Sequence, residues 1–178
     1  MKTKGHIITG APGTGKTSLI DAFQALGFEV LPEISREILI QEKAQGGEAL
    51  PWVNHEAFHQ AVLDGRIQQY ETSQQLPAPV FLDRGVPDSF AYLLAEGVPV
   101  SENDFRWLKQ FEYASVVFIT PPWKEIYHGD EERWETFEHA QRIHEALVEV
   151  YTRLDFQVDI LPKVPIPQRI DYILEQIR

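Results

Sequence analysis

The chain of 178 residues contains no cysteine, a single methionine and comparatively few basic residues. Without cysteine it can form neither disulfides nor thiolate metal sites. Its 16 lysines and arginines against 27 aspartates and glutamates give a net charge of -11 at pH 7. Such a surface disfavours broad contact with nucleic acid or anionic lipid, so we expect neither as a partner. A small anionic substrate would need a local basic site.

Long hydrophobic runs are absent too, because no segment approaches the roughly 18 apolar residues of a membrane-spanning helix. The chain begins MKTKGHIITG, in which two lysines lead directly into a short apolar run, unlike a secretory signal. We therefore expect a cytoplasmic protein without a membrane partner. With 43% apolar and 24% charged residues, a chain of this length is predicted to fold as one domain over 1–178.

Short apolar segments alternate with longer segments of helical period along the whole chain. The predicted strands are 5–10, 28–32, 78–85, 114–122 and 156–162. The predicted helices are 16–27, 33–47, 54–76, 87–97, 101–111, 130–155 and 166–178. This alternation predicts an α/β fold of three layers, with a five-stranded, mostly parallel sheet covered by helices on both faces.

The segment GAPGTGKT at 10–17 fits the pattern G-x-x-x-x-G-K-[ST]. Glycines let a loop curl so that its backbone N–H groups point at a phosphate, and the following helix adds its positive N-terminal end. Lys16 would reach the outer phosphates, and Thr17 would offer its hydroxyl to Mg²⁺. The residues expected to bind the nucleotide are Gly10, Ala11, Pro12, Gly13, Thr14, Gly15, Lys16, Thr17 and Ser18.

A carboxylate should complete the magnesium site from the end of a neighbouring strand. Asp83 ends the third predicted strand, at the sheet edge where ligands gather in α/β proteins. It is therefore the predicted second metal ligand, although an aspartate here could instead cap the next turn. Arg84 follows at once and could bind a substrate oxygen or the transferred phosphoryl group, or remain solvated.

Glu33 raises a parallel question, because it follows the second predicted strand at the same sheet edge. A carboxylate there could take the proton from a substrate hydroxyl. Alternatively, it could be a glutamate favoured by the dipole at the start of a helix. Arg36, one helical turn later, has the same two interpretations.

The segments GAPGTGKT, LPEISREIL, FHQAVLDGRIQQYE, FLDRGVPDSFAYL and VVFITPPWKEIYHGDEERWETFEHA resemble the predicted-ATPase branch of AAA-like P-loop proteins. That branch is similar to the kinase domain of ribosylnicotinamide kinases and, more distantly, to deoxynucleoside and nucleoside monophosphate kinases. The resemblance covers nearly the whole chain and is most specific at the phosphate loop and at FLDRG. It implies a kinase-like P-loop NTPase fold.

The same resemblance implies roles for individual residues. Glu33 matches the catalytic base of deoxynucleoside kinases, and Asp83 with Arg84 matches their acid–arginine pair. A lid-like segment at about 123–142 would clamp the phosphates through Arg133 and Arg142, although this segment is unusually acidic. Gln60 matches the substrate-contacting glutamine on the long third helix of those kinases. With Arg36 from the sequence pattern, the predicted substrate-binding residues are Glu33, Arg36, Gln60, Arg84 and Arg142.

Together these patterns predict a Mg²⁺-assisted transfer of the γ-phosphoryl group of ATP to a small, nucleoside-like or nucleotide-like acceptor. Lys16, Glu33, Asp83, Arg84 and Arg133 are the predicted catalytic residues. Nothing in the sequence selects ATP over GTP. A regulatory ATPase without an acceptor is the alternative function. A GTPase would need an N-K-x-D motif, which the sequence lacks.

Overall fold

The computed structural model describes residues 3–125 and 136–177. In this part of the chain five strands form one sheet in the order β2-β3-β1-β4-β5. The strands are β1 His6–Gly10, β2 Glu29–Leu31, β3 Val80–Asp83, β4 Val116–Thr120 and β5 Gln157–Ile160. All neighbouring strands run parallel, which confirms the predicted class of sheet.

The helices that connect these strands are α1 Lys16–Ala25, α2 Ser35–Gln45, α3 His55–Ser73, α4 Val86–Ala95, α5 Glu102–Leu108, α6 Phe137–Arg153 and α7 Ile166–Gln176. Several of these helices begin after a residue whose side chain caps the first turn. At α3, for example, the Asn54 side-chain oxygen accepts a hydrogen bond from the backbone amide of Ala57. The first residues of the predicted helix 130–155 fall outside the described part. No described helix is long and apolar enough to cross a membrane.

Successive strand residues point to opposite faces, and this divides the core into two apolar clusters. Ile7 lies in a cluster with buried residues of α4, α5 and α6 on one face of the sheet. Its neighbour Ile8 packs on the other face with residues of α1 and α7, Phe23 and Ile173 among them. The fold therefore has the three predicted layers, helices on sheet on helices.

The strand order determines which loops meet at the carboxyl edge of the sheet. β1 lies in the centre, with β3 on one side and β4 on the other. The register pairs Ile8 with Asp83 and Gly10 with Thr120. The loops after β1, β3 and β4 therefore leave the sheet side by side, as expected for a ligand site in a parallel sheet.

Candidate active site

The loop between β1 and α1 has the backbone shape of a phosphate cradle. Gly10, Gly13 and Gly15 adopt positive φ angles of 152°, 75° and 79°, which other residues rarely adopt. Gly10 also lies so close to β4 that an added Cβ would be 1.9 Å from Thr120 Oγ1. The helix then begins at Lys16, so its free N-terminal amides face the space above the loop.

Residues outside the motif brace this loop. The Thr14 hydroxyl donates to the carbonyl of Ala11 at 2.8 Å and lies 2.6 Å from Thr120 Oγ1. The Arg169 guanidinium on α7 donates to the Thr14 carbonyl at 3.4 Å and lies over the Trp123 ring. The motif did not indicate Thr120 or Arg169, which contact the loop from β4 and α7, nor Trp123, which packs against Arg169.

Lys16 and Asp83 form a buried ion pair, with 2.9 Å between Nζ and Oδ1. Burial and the nearby Arg84 lower the pKa of Lys16, and the carboxylates of Asp83 and Glu33 oppose this shift. In the described part of the chain Asp83 Oδ1 accepts no well-aligned hydrogen bond. The predicted phosphate ligand and the predicted metal ligand are thus neighbours and form an ion pair.

The donor chemistry of this ion pair and of Thr17 fits a magnesium site. The Asp83 carboxylate and the exposed Thr17 hydroxyl supply hard oxygen donors, which Mg²⁺ prefers. No cluster of three or more acidic or histidine side chains suited to a metal ion occurs in the described residues. Magnesium in nucleotide enzymes needs none, because one or two side chains, phosphate oxygens and water complete its coordination.

Glu33 and Arg84 form a second ion pair beside the first. Arg84 Nε donates to Glu33 Oε2, while Glu33 Oε1 accepts hydrogen bonds from the backbone amide and hydroxyl of Ser35 at 3.1 and 2.7 Å. Arg84 has a positive φ of 78°, a strained conformation typical of functional positions. Glu33 therefore precedes α2, accepts hydrogen bonds from its first residue and also binds Arg84; its role as a base stays a prediction.

The surrounding cations keep Glu33 ionised. Burial alone would raise the pKa of this carboxyl group, but Arg84, Arg66, Lys16 and the hydrogen bonds from Ser35 hold the pKa far below its usual value. Burial likewise disfavours the charged Arg84, yet Tyr92 and the carboxylates of Glu33, Asp88 and Asp83 raise its pKa well above the ordinary value. Glu33 and Arg84 therefore favour their charged forms and pair as carboxylate and guanidinium.

Arg66 on α3 belongs to this cluster, although the sequence patterns did not single it out. Its side chain is buried, Nη2 lies 3.8 Å from Glu33 Oε1, and Nη1 donates to the Ser89 hydroxyl at 2.8 Å. Among the described residues its Nε–H has no hydrogen-bond partner. The available sequence signal was an arginine beside Gly65 within the predicted helix 54–76.

Two other predicted substrate residues, Gln60 and Arg142, contact neighbours on their own helices. Gln60 is exposed and donates to Asp64 on its own helix at 2.9 Å. Arg142 is exposed on α6, with Nη2 3.3 Å from His139 Nδ1. Arg36 is exposed on α2, and Arg133 lies outside the described residues. Their roles stay predictions.

Comparison with known proteins assigns the chain to a family. A family model described as an AAA domain matches residues 6–169, so the chain belongs to that family. No protein with a curated function matches the sequence.

Solved structures of kinases share the fold. A thymidylate kinase from Candida albicans superimposes with a TM-score of 0.70 at 16% identity, covering 99% of this chain and 91% of that one. Deoxyadenosine kinase from M. mycoides with bound dATP gives 0.66 at 16% identity, covering 98% of both chains. The NadR protein in complex with NR gives 0.66 at 22% identity, covering 97% of this chain and 51% of that one. These similarities confirm the predicted kinase-like P-loop fold.

Proposed function

We propose that this protein is an ATP-dependent phosphotransferase that acts on a small, nucleoside-like or nucleotide-like molecule. The observation that carries the proposal is the adjacency of two ion pairs at the carboxyl edge of the sheet, one fully buried and one with a partly exposed glutamate. Lys16–Asp83 supplies groups for phosphate and metal, and Arg84–Glu33 supplies groups for an acceptor and the transferred phosphoryl group. A protein that only holds a nucleotide needs the first pair alone.

Nucleotide binding uses the loop of residues 10–18. Its backbone amides and Lys16 hold the phosphates of ATP, or of GTP if the base is read loosely. Thr17 and Asp83 would hold Mg²⁺, which would neutralise the charge that develops on the phosphate oxygens. Lys16 exchanges its Asp83 partner for a phosphate oxygen when the nucleotide binds, which releases the Asp83 carboxylate from its ion pair.

Acceptor activation uses the second ion pair. Glu33 exchanges Arg84 for the acceptor hydroxyl and takes its proton as the phosphoryl group is transferred. Arg84 then stabilises the charge on the transferred group. Arg66 lines the acceptor side, and Gln60, Arg36, Arg142 and Arg133 complete substrate binding from α3, α2 and the lid-like segment of about 123–142.

The test is ADP release from ATP with Mg²⁺, measured with and without a panel of nucleosides, nucleoside monophosphates and nucleoside-like vitamins. We expect at least one acceptor to raise turnover, and Glu33→Gln to abolish that increase while the acceptor-independent rate stays unchanged. A slow rate that no acceptor changes would contradict the phosphotransferase and support a regulatory ATPase instead.

A further inference from the structure

Asp88, in the first turn of α4, is a fully buried carboxylate that the proposed reaction does not use. Its Oδ2 accepts hydrogen bonds from the amide of Gly85 at 2.8 Å and from the hydroxyl of Tyr151 on α6 at 2.5 Å. Its Oδ1 accepts from the hydroxyl of Thr9, the residue before the phosphate loop. Burying a carboxylate is costly, so this position calls for an explanation.

Capping of the helix explains only part of this arrangement. Asp104 occupies the same position in the first turn of α5, where it accepts from the amide of Ser101 at 2.8 Å and is only partly buried. Asp88 makes the corresponding contact with one oxygen. Its other oxygen lies 3.8 Å from Nη1 of Arg84, and that nitrogen is buried with no hydrogen-bond partner in the described part of the chain.

The charge on Arg84 gives Asp88 a reason to be buried. The Arg84 side chain is only 7% exposed, and an unpaired buried guanidinium would strongly destabilise the fold. Glu33 neutralises Arg84 here, but its side chain is 22% exposed and is the group proposed to turn towards the acceptor. Asp83 is already paired with Lys16. Asp88 is the remaining carboxylate within reach among the described residues.

We propose that Asp88 is the resident counter-ion of Arg84, which holds the guanidinium in place while Glu33 exchanges Arg84 for the acceptor hydroxyl. Asp88 is then a positioning residue that acts through Arg84. Its hydrogen bonds to Thr9 and Tyr151 fix the carboxylate against β1 and α6, so it cannot follow Glu33. The exchange rests on the proposed function, whereas the ion pairing does not.

The pairing is tested by thermal unfolding of Glu33→Gln, Asp88→Asn and the double variant. Each single variant leaves Arg84 one of its two ion-pair partners, and the double variant removes both. We expect the double variant to lose about 5 °C more in Tm than the sum of the single losses. When Arg84→Met is also present, this excess loss in Tm should vanish, and Asp88→Asn should lower Tm less than it does in the wild type. The Arg84→Met background therefore also allows the measurement if Asp88→Asn alone is too unstable to purify.

Asp104→Asn is the matched control, because it alters a cap of the same geometry with no arginine behind it. Its loss in Tm should add to that of Glu33→Gln within about 1 °C. Additive losses for Glu33→Gln with Asp88→Asn, or an excess that persists with Arg84→Met, would overturn the proposal and leave Asp88 as a helix cap. This result does not depend on any enzymatic activity.

The positioning role is tested by acceptor-dependent kinetics. We expect Asp88→Asn to lower kcat about tenfold with the KM for ATP within about twofold of wild type. When Arg84→Ala is already present, Asp88→Asn should lower kcat no further. Independent losses that multiply would overturn the positioning role. If no acceptor raises turnover, the proposed function fails. The unfolding measurements on the single and double variants still test whether Asp88 pairs with Arg84.

Discussion

The two halves of the candidate site are built in different ways. The phosphate half is a run of consecutive residues whose shape comes from glycine backbone angles and from hydrogen bonds to β4 and α7. The acceptor half is assembled from separate elements, with Glu33 before α2, Arg66 on α3 and Arg84 after β3. The first half is held by backbone geometry, and the second is held by balanced buried charges.

This difference predicts different sensitivities. A backbone cradle should be damaged by added volume and should tolerate small changes of charge nearby. A network of buried ion pairs should respond most strongly when one charge is removed and its partner remains. The Lys16–Asp83 pair joins the two halves, so substitutions there should have the largest effects.

Lys16→Ala should lower turnover at least about 10³-fold, because it removes the cation proposed to stabilise the transferred phosphoryl group. Steady-state ADP release measures this change, and circular dichroism should show an unchanged fold. Lys109→Ala is the control, since Lys109 forms a comparable pair with Asp155 that is exposed and remote. Turnover near wild type in Lys16→Ala would disconnect the loop from catalysis.

Asp83→Ala should lower Mg²⁺-dependent turnover about 10²-fold to 10³-fold, since it removes the side chain proposed to hold the metal with Thr17. It should also lower the free energy of unfolding by about 3 kcal/mol, because Lys16 keeps a buried charge without its partner. Titrations of activity with Mg²⁺ and urea unfolding measure the two effects. Activity that saturates at the wild-type Mg²⁺ concentration would show that Asp83 is not a metal ligand.

Glu33→Gln should lower acceptor-dependent transfer about 10²-fold, the usual contribution of a general base. ATP binding, measured by calorimetry, should remain within a few-fold of wild type, because Glu33 belongs to the acceptor half. Glu37→Gln, a substitution on the exposed first turn of the same helix, is the control. Unchanged transfer would show that Glu33 is not the base and serves only to accept hydrogen bonds from Ser35 at the start of α2.

Gly10→Ala should weaken ATP binding about tenfold, whereas Glu33→Gln should not. The first variant changes the backbone shape of the phosphate half, and the second changes a charge in the acceptor half. The added methyl group would lie 1.9 Å from Thr120 Oγ1 and 2.8 Å from its carbonyl oxygen, so the loop must shift. Calorimetric titration with ATP and Mg²⁺ measures the effect. Gly97→Ala is the control. Gly97 also has a positive φ, but no described atom beyond its two chain neighbours lies within 4 Å of the added Cβ, so this variant should bind ATP normally.

The phosphate half could be predicted from sequence because its information is local. Eight consecutive residues specify the loop, and the alternation of strands and helices specifies that Asp83 ends a strand at the same edge. The pairing of Lys16 with Asp83 follows from the parallel order of β1 and β3, which the fold supplies. The predicted fold class was confirmed because it also depends on a pattern along the sequence, the alternation of strands and helices.

The acceptor half could be predicted only in part. Glu33 and Arg84 were selected for their place after strands, but their direct contact joins residues 51 positions apart. Arg66 and Asp88 were missed because their partners lie on other elements. Gln60 and Arg66 share α3, yet six residues place them about 120° apart around the helix axis. Gln60 faces outward, whereas Arg66 reaches Glu33.

Calorimetric titration of the wild-type protein with ATP in the presence of Mg²⁺ tests the central claim most directly. The account predicts saturable binding at one site with a Kd below about 1 mM, the range usual for enzyme substrates. It also predicts that Lys16→Ala loses this binding and that Glu33→Gln keeps it. No binding at millimolar ATP, or equal binding by the wild type and Lys16→Ala, would contradict it.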